Sequence, residues 1–268
     1  MSNLNNYSIF NELDQVYPIV VSIPHSGTYI PSEMRKRLMS NIILPNMDWF
    51  LRELYDFLTL DRVTVIENNI SRYVADPNRD IGADPTGDYH TLVYQKTTLN
   101  KPMYPYPLTR QEVDQRIEGY YKPYHQALKQ LLKNKLTAYK KVLLLDLHSF
   151  AEFGNPPVRQ DFVLGNRNGL TTSREAVQVM TRLLSDAGYT VSDNYPFPGG
   201  YITKHYGTNY GNRIESMQIE IRYREYIGDR NYGEEELTHW DKPTFEHAKA
   251  NLKAIFQHFF SYIHNNVN

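Results

Sequence analysis

The sequence predicts an α/β protein: a single domain, residues 1–268, in which a central mixed, largely parallel sheet lies between helices. Three observations predict it. Short apolar runs bounded by turn residues alternate with longer stretches of helical period. The run Val142-Leu143-Leu144-Leu145 is continuously apolar, the pattern of a strand covered on both faces. No internal repeat, low-complexity tract or Pro/Gly-rich linker divides the chain.

In chain order, residues 18–23 read as the first strand, ending at His25 in IPHSG. The stretch DWFLRELYDFL follows, with Trp49, Phe50, Leu54, Phe57 and Leu58 near helical spacing, and residues 62–66 form the next strand. Thr109 and Glu112 make a capping box ahead of Val113, Ile117 and Tyr120, and Pro123 must kink or split the helix they start. Residues 142–147 and 162–164 are strands. Thr172 and Glu175 cap a second helix carrying Val177, Met180, Leu183 and Leu184, and residues 217–221 form the last strand. The stripe Phe245, Ala248, Leu252, Ile255, Phe256, Phe259, Ile263 closes the chain with a packing helix.

Composition narrows the partners. Lys+Arg 29 against Asp+Glu 30 leaves a net charge of −1, with no electrostatic footprint for nucleic acid or anionic lipid. A small-molecule partner is expected. With no cysteine, a metal must be held by His, Asp or Glu, and a cysteine nucleophile is excluded. The first sixteen residues lack a basic and an apolar signal region, and no run approaches the ~18 apolar residues of a membrane span, so a soluble, cytoplasmic protein is expected. The 22 tyrosines read as polar-rimmed packing surface, and nothing fixes an oligomeric state.

Two apolar strands, VVSIP and VLLLDL, each end on a histidine followed by serine, His25 and His148. Ligands of open α/β sheets sit beyond the carboxyl ends of strands, so both imidazoles can reach one pocket. Either histidine alone reads as a hydrogen-bonded structural residue; two in the same context point to a metal with an open position. The third ligand is left between Asp48, equally readable as a helix N-cap, and Asp146, which shares the strand face of His148 and equally suits orienting a liganding imidazole. Glu220 sits inside the alternating strand MQIEI, where it is either a general base or the partner of Arg222 or Arg224 at an edge strand. Arg72 and Arg79 in SRYVADPNRD suit a substrate carboxylate or a surface ion network. Lys204 and His205, behind Gly199-Gly200, form either a mobile cationic segment or an exposed turn. His90 and His125 are ambiguous, His125 suiting a buttress of the site from a helix, and His239, His247, His258 and His264 read as surface or packing residues in or near the C-terminal helix. No phosphate loop, GxSxG elbow or HExxH occurs.

The segments SIPHSGTYIP, MDWFLRELYDF, SRYVADPNRD, KPYHQAL, LLDLHSF, GGYITKHYG and MQIEI, in this order, resemble the N-formylglutamate amidohydrolase family. The resemblance implies a zinc-carboxypeptidase-like fold and hydrolysis of N-formyl-L-glutamate to formate and L-glutamate in histidine degradation. Carried over by motif, it implies zinc or another divalent metal on His25, Asp48 and His148, Glu220 as catalytic base, and Arg72 and Arg79 on the substrate carboxylates. Lys204 is a further substrate-binding cation and His205 a transition-state stabiliser in this view. The chain departs from the family pattern at Asn46, Pro77 and Lys204, and in the run after His148. The rival expectations are a deacylase of another N-acyl acidic amino acid and a non-catalytic amino-acid-binding protein.

Overall fold

The computed structural model describes residues 5–154 and 157–266; residues 1–4 of the leader reading, and Asn155 and Pro156 in the run after His148, lie outside the described residues. In chain order its strands are β1 (Tyr7–Phe10), β2 (Ile19–Ile23), β3 (Thr64–Asn68), β4 (Thr86–Gly87), β5 (Val93–Tyr94), β6 (Val142–Phe150), β7 (Phe162–Gly165), β8 (Val191–Asp193) and β9 (Ile214–Arg222). Seven of them form one sheet in the order β1-β3-β2-β6-β9-β7-β8, and β4 and β5 pair separately. The central pairs β3/β2, β2/β6 and β6/β9 are parallel, and β1 and β7 join antiparallel, so the sheet is mixed and largely parallel as expected.

The helices are α1 (Ser32–Arg37), α2 (Leu51–Leu54), α3 (Phe57–Leu60), α4 (Arg110–Arg116), α5 (Lys122–Lys135), α6 (Arg174–Asp186), α7 (Tyr201–Thr208), α8 (Arg224–Ile227) and α9 (Lys242–Asn266). Alternate residues of the strands divide between two cores. Ile19, Val21, Leu143, Leu145, Met217 and Ile219 join the larger cluster with Met180 of α6 and Leu252 and Phe256 of α9. Val20, Leu144 and Ile214 join Leu128 and Leu132 of α5 and Ile202 of α7 on the opposite face. That two-sided burial is why the run Val142–Leu145 of β6 reads as continuously apolar.

The α5/α7 face changes character along each strand. On β6 it runs Val142, Leu144, Asp146, His148, Phe150, and on β9 Ile214, Ser216, Gln218, Glu220. One face therefore carries core at its amino end and chemistry at its carboxyl end. From β2 the chain moves to β3 on one side and later to β6 on the other, which makes the β2/β6 crevice a topological switch point.

Two local expectations change. DWFLRELYDFL folds as two one-turn helices, α2 and α3, because Phe50 adopts a left-handed conformation (φ 59°) and Tyr55 and Asp56 separate the turns. The cap of α6 is Ser173, whose hydroxyl accepts from Ala176 N, while Thr172 donates its hydroxyl to Ser216 O. The α4–α5 helix is split as expected: Ile117–Tyr121 form a π-helical turn and Pro123 opens α5, where its missing N–H costs nothing. The Thr109–Glu112 capping box forms. Strands β1 and β8 have no counterpart in the sequence expectation.

Candidate functional site

His25 follows β2, and His148 lies within β6, which extends three residues beyond the expected end. Their rings meet at 4.7 Å between centroids in the switch-point crevice. Each Nε2 faces a buried carboxylate: His25 Nε2 lies 2.6 Å from Asp76 Oδ1, and His148 Nε2 lies 2.9 Å from Asp146 Oδ2. A carboxylate accepts, so each Nε2 carries the proton and each Nδ1 is left to point the other way. Both Nδ1 atoms point at Asp48 Oδ2, at 2.9 Å from His148 and 3.5 Å from His25.

Asp48 is not a helix N-cap. It sits two residues ahead of Phe50, in a loop whose backbone is pinned by tyrosine hydroxyls: Tyr73 donates to Pro45 O, Tyr223 to Met47 O and Tyr226 to Trp49 O. Asp48 N also donates to His25 O, tying the loop to the end of β2. Asp146, the alternative third ligand, faces the other nitrogen of His148 and donates nothing to the cluster centre.

His25, Asp48 and His148 are all buried, and one ligand atom from each lies within 4.8 Å of the others. The donor set fits a divalent cation. His25 Nδ1 is buried with no hydrogen-bond partner, an orphan that a cation would satisfy. Burial opposes a charged imidazole at His148, yet Asp146 and Asp48 hold its pKa well above the usual range. Burial likewise opposes the Asp48 carboxylate, and the facing imidazoles of His148 and His25 hold it well below its usual range.

Asp76 is saturated. Besides His25 it accepts from Asn78 N at 2.7 Å, from Arg72 Nε at 3.2 Å and Nη2 at 2.9 Å, and from the Tyr94 hydroxyl. The SRYVADPNRD stretch is thus a buried network rather than a surface one, and no sequence signal separates the two beyond the i, i+4 spacing of Arg72 and Asp76. Arg72 spends its Nε–Nη2 edge on Asp76, and Arg79 donates to Tyr89 O and Asn78 O. His125 does brace this loop: its Nε2 lies 2.9 Å from Pro77 O and its Nδ1 3.1 Å from Tyr206 OH, with its pKa pushed down to about 4 by burial.

Glu220 occupies a central strand, paired in register with His148, so the edge-strand reading falls. Arg222 bonds Asp161 and Glu225, and Arg224 pairs with Asp229. Glu220 Oε1 accepts from Gln218 Nε2 at 2.8 Å, and burial pushes its carboxyl up to about 7 against the pull of His148. A group that titrates near neutrality both takes and returns a proton readily.

His25, Asp48, His148, Glu220, Arg72 and Arg79 line one open cavity of about 680 Å³. Lys204 and His205 do not line it. Gly200 begins helix α7, which turns both side chains into an adjoining groove, where the His205 ring stacks on Tyr201 and sits 3.3 Å from its hydroxyl. The segment is neither a mobile loop nor a turn into a strand. Gly200 itself touches the site: a side chain there would lie 2.3–2.5 Å from the amide of Asn78. That amide sits 3.2 Å from His148 Nε2 and accepts from Ile202 N.

A largely parallel sheet that gathers paired imidazoles, a carboxylate and a buried glutamate beyond its strand ends describes a hydrolase of α/β architecture with a candidate metal centre. More narrowly, the chain belongs to the N-formylglutamate amidohydrolase family, whose model matches residues 17–227. It is 29% identical over 225 residues to an N-formylglutamate deformylase of Pseudomonas putida, covering 78% of this chain and 82% of the relative. A second N-formylglutamate deformylase, from Pseudomonas aeruginosa, is 26% identical over 80% of this chain and 83% of its own. Among solved structures, N-formylglutamate amidohydrolase from Ralstonia eutropha JMP134 superposes with a TM-score of 0.81 at 25% identity, covering 98% of this chain and 100% of the other. A gene product of Agrobacterium tumefaciens shares the fold, with a TM-score of 0.75 at 16% identity over 97% of this chain and 96% of its own.

Proposed function

We propose that this chain, acting as one domain, hydrolyses N-formyl-L-glutamate to formate and L-glutamate with a divalent metal, zinc by the chemistry of its donors, and that it serves histidine degradation in the cytoplasm. The observation that carries the reading is the convergence of His25, Asp48 and His148 in the cavity that also holds Glu220, in a chain of this family.

His25 Nδ1, His148 Nδ1 and an Asp48 oxygen would hold the cation, with Asp76 and Asp146 fixing the two tautomers from behind. A bound divalent cation supplies Lewis-acid polarisation of a carbonyl and lowers the pKa of water. Glu220 takes a proton from the attacking water as its oxygen bonds to the formyl carbon. It then delivers that proton to the nitrogen as the C–N bond breaks, so that formate and the amino group of glutamate leave together. Arg72 and Arg79 each keep one terminal nitrogen, Nη1 and Nη2, outside the bonds described above, and a substrate carboxylate bridges these two rather than one complete fork. Lys204 and His205 act from the adjoining groove, on the substrate's distal carboxylate rather than on the reacting carbonyl.

The test is formate release from N-formyl-L-glutamate by purified protein, before and after chelation and zinc restoration. Activity lost to the chelator and regained with zinc is expected. Undiminished activity in a protein shown to be metal-free would remove the ligand roles and keep the reaction.

A further inference from the structure

The cavity has two unlike flanks. Toward β3 stand Arg72, Arg79 and the Asp76 network; toward β7 stand Phe150, Phe153 and Phe197. Phe150 is two residues past His148 on the same strand face, and Phe197 comes from the loop after β8. The three rings form a closed triangle, with centroids 5.2 Å apart for Phe150–Phe197, 5.5 Å for Phe153–Phe197 and 6.4 Å for Phe150–Phe153. They belong to neither main core: Phe150 packs with Val158, Val163 and Phe197 in a small cluster of its own. Phe153 is 44% exposed, so the wall presents bare aromatic surface to the cavity instead of hiding it. The wall is also fixed in place, because the backbone of residues 197–199 lies against Gly165 so closely that a side chain there would meet it at 2.6–2.9 Å.

A formyl group has no carbon chain to lay on such a wall. The sheet order runs Arg72 beyond β3, His25 beyond β2, His148 on β6 and Glu220 on β9. A substrate with one carboxylate bridging the arginines and its amide over the histidines therefore directs its acyl group toward the phenylalanines. From this juxtaposition we infer an apolar acyl subsite made by Phe150, Phe153 and Phe197, through which the enzyme also hydrolyses N-acyl-L-glutamates with short straight-chain acyl groups. The inference rests on the amidohydrolase reading above and names the acyl class of its substrates. The bond broken is the same amide; water supplies the hydroxyl to the acyl carbon, and the products are the free fatty acid and glutamate.

The experiment follows glutamate release, a product common to the series, from N-formyl-, N-acetyl-, N-butanoyl- and N-hexanoyl-L-glutamate by the metal-loaded enzyme. Beyond acetyl, kcat/KM rises about three- to fourfold for each methylene that reaches the wall. Phe153→Ala, a change at a half-exposed side chain, lowers the ratio of hexanoyl to formyl kcat/KM about tenfold, and Phe153→Leu restores most of it. A steady fall from formyl to hexanoyl, with a ratio indifferent to Phe153→Ala, would overturn the subsite while leaving deformylation intact. Faster cleavage of N-formyl-L-phenylalanine than of any N-acylglutamate would also overturn it, since the wall would then hold the amino-acid side chain. No glutamate from any of the four would overturn both the subsite and the reading beneath it.

Discussion

Asp76 and Glu220 are two buried carboxylates of one cavity, and they are treated in opposite ways. Asp76 accepts hydrogen bonds from His25, Asn78, Tyr94 and both nitrogens of an Arg72 edge; among the described residues a single amide, that of Gln218, donates to Glu220. Burial works against ionisation at both. At Asp76 the charges of His25, Arg72 and Arg79 overcome it and hold the group far below its usual range, while at Glu220 burial prevails and the carboxyl rises to about 7. The lesson is that depth in the protein does not decide a carboxylate's role; the cations and donors left facing it do. Asp76 is held ionised within its network, and Glu220 suits the proton transfer proposed for it.

The sharpest way to break this contrast is Glu220→Gln. Turnover should fall by about 10²–10⁴-fold with metal content unchanged, measured as formate release beside elemental analysis. Metal lost together with turnover would put Glu220 in the same class as Asp76. Next comes the brace behind Asp76. His125 has an ordinary pKa of 6.5 that drops to about 4 in the fold, so between those values the unfolded chain binds the extra proton. Stability should therefore be fully present above pH 6.5 and drain as the pH falls toward 4, by about 3 kcal/mol from this group. Urea unfolding at pH 7 and pH 4.5 should show that slope shrinking in His125→Gln; an identical slope would mean that the imidazole is not shielded.

Smaller effects sharpen the comparison from the other side. Asp76→Asn should weaken metal affinity about 10–100-fold, read by competition with a chromophoric chelator, with the catalytic pH profile unmoved. Tyr94→Phe removes one donor of several and should cost about 1 kcal/mol in the same assay. Were the two variants equal, Asp76 would be acting through Tyr94 alone and its saturation would be illusory.

The fold was legible where burial on both faces wrote itself as near-continuous apolar runs, in β2 and the first half of β6, and where apolar and polar residues alternate, in β9. It was illegible at β1 and β8, edge strands that are only partly buried, because a short half-exposed strand carries no pattern distinct from a loop. His25, His148 and Glu220 stood out because each interrupts a strand context with a group that costs free energy to bury. Asp76, Tyr94 and the tyrosine clamps on the Asp48 loop did not, since their partners come from segments distant in sequence and no spacing announces them. Lys204 and His205 show the converse: a motif keeps its letters together, but the pitch of α7 decides which letters face the cavity.

Gly200 leaves no room beside the Asn78 amide, which in turn borders His148 and anchors the start of α7. One hydrogen atom in place of a methyl group thus spaces the whole corner. Any side chain at position 200 must shift Asn78, the neighbour of both the His148 imidazole and the first turn of the helix that carries Lys204 and His205.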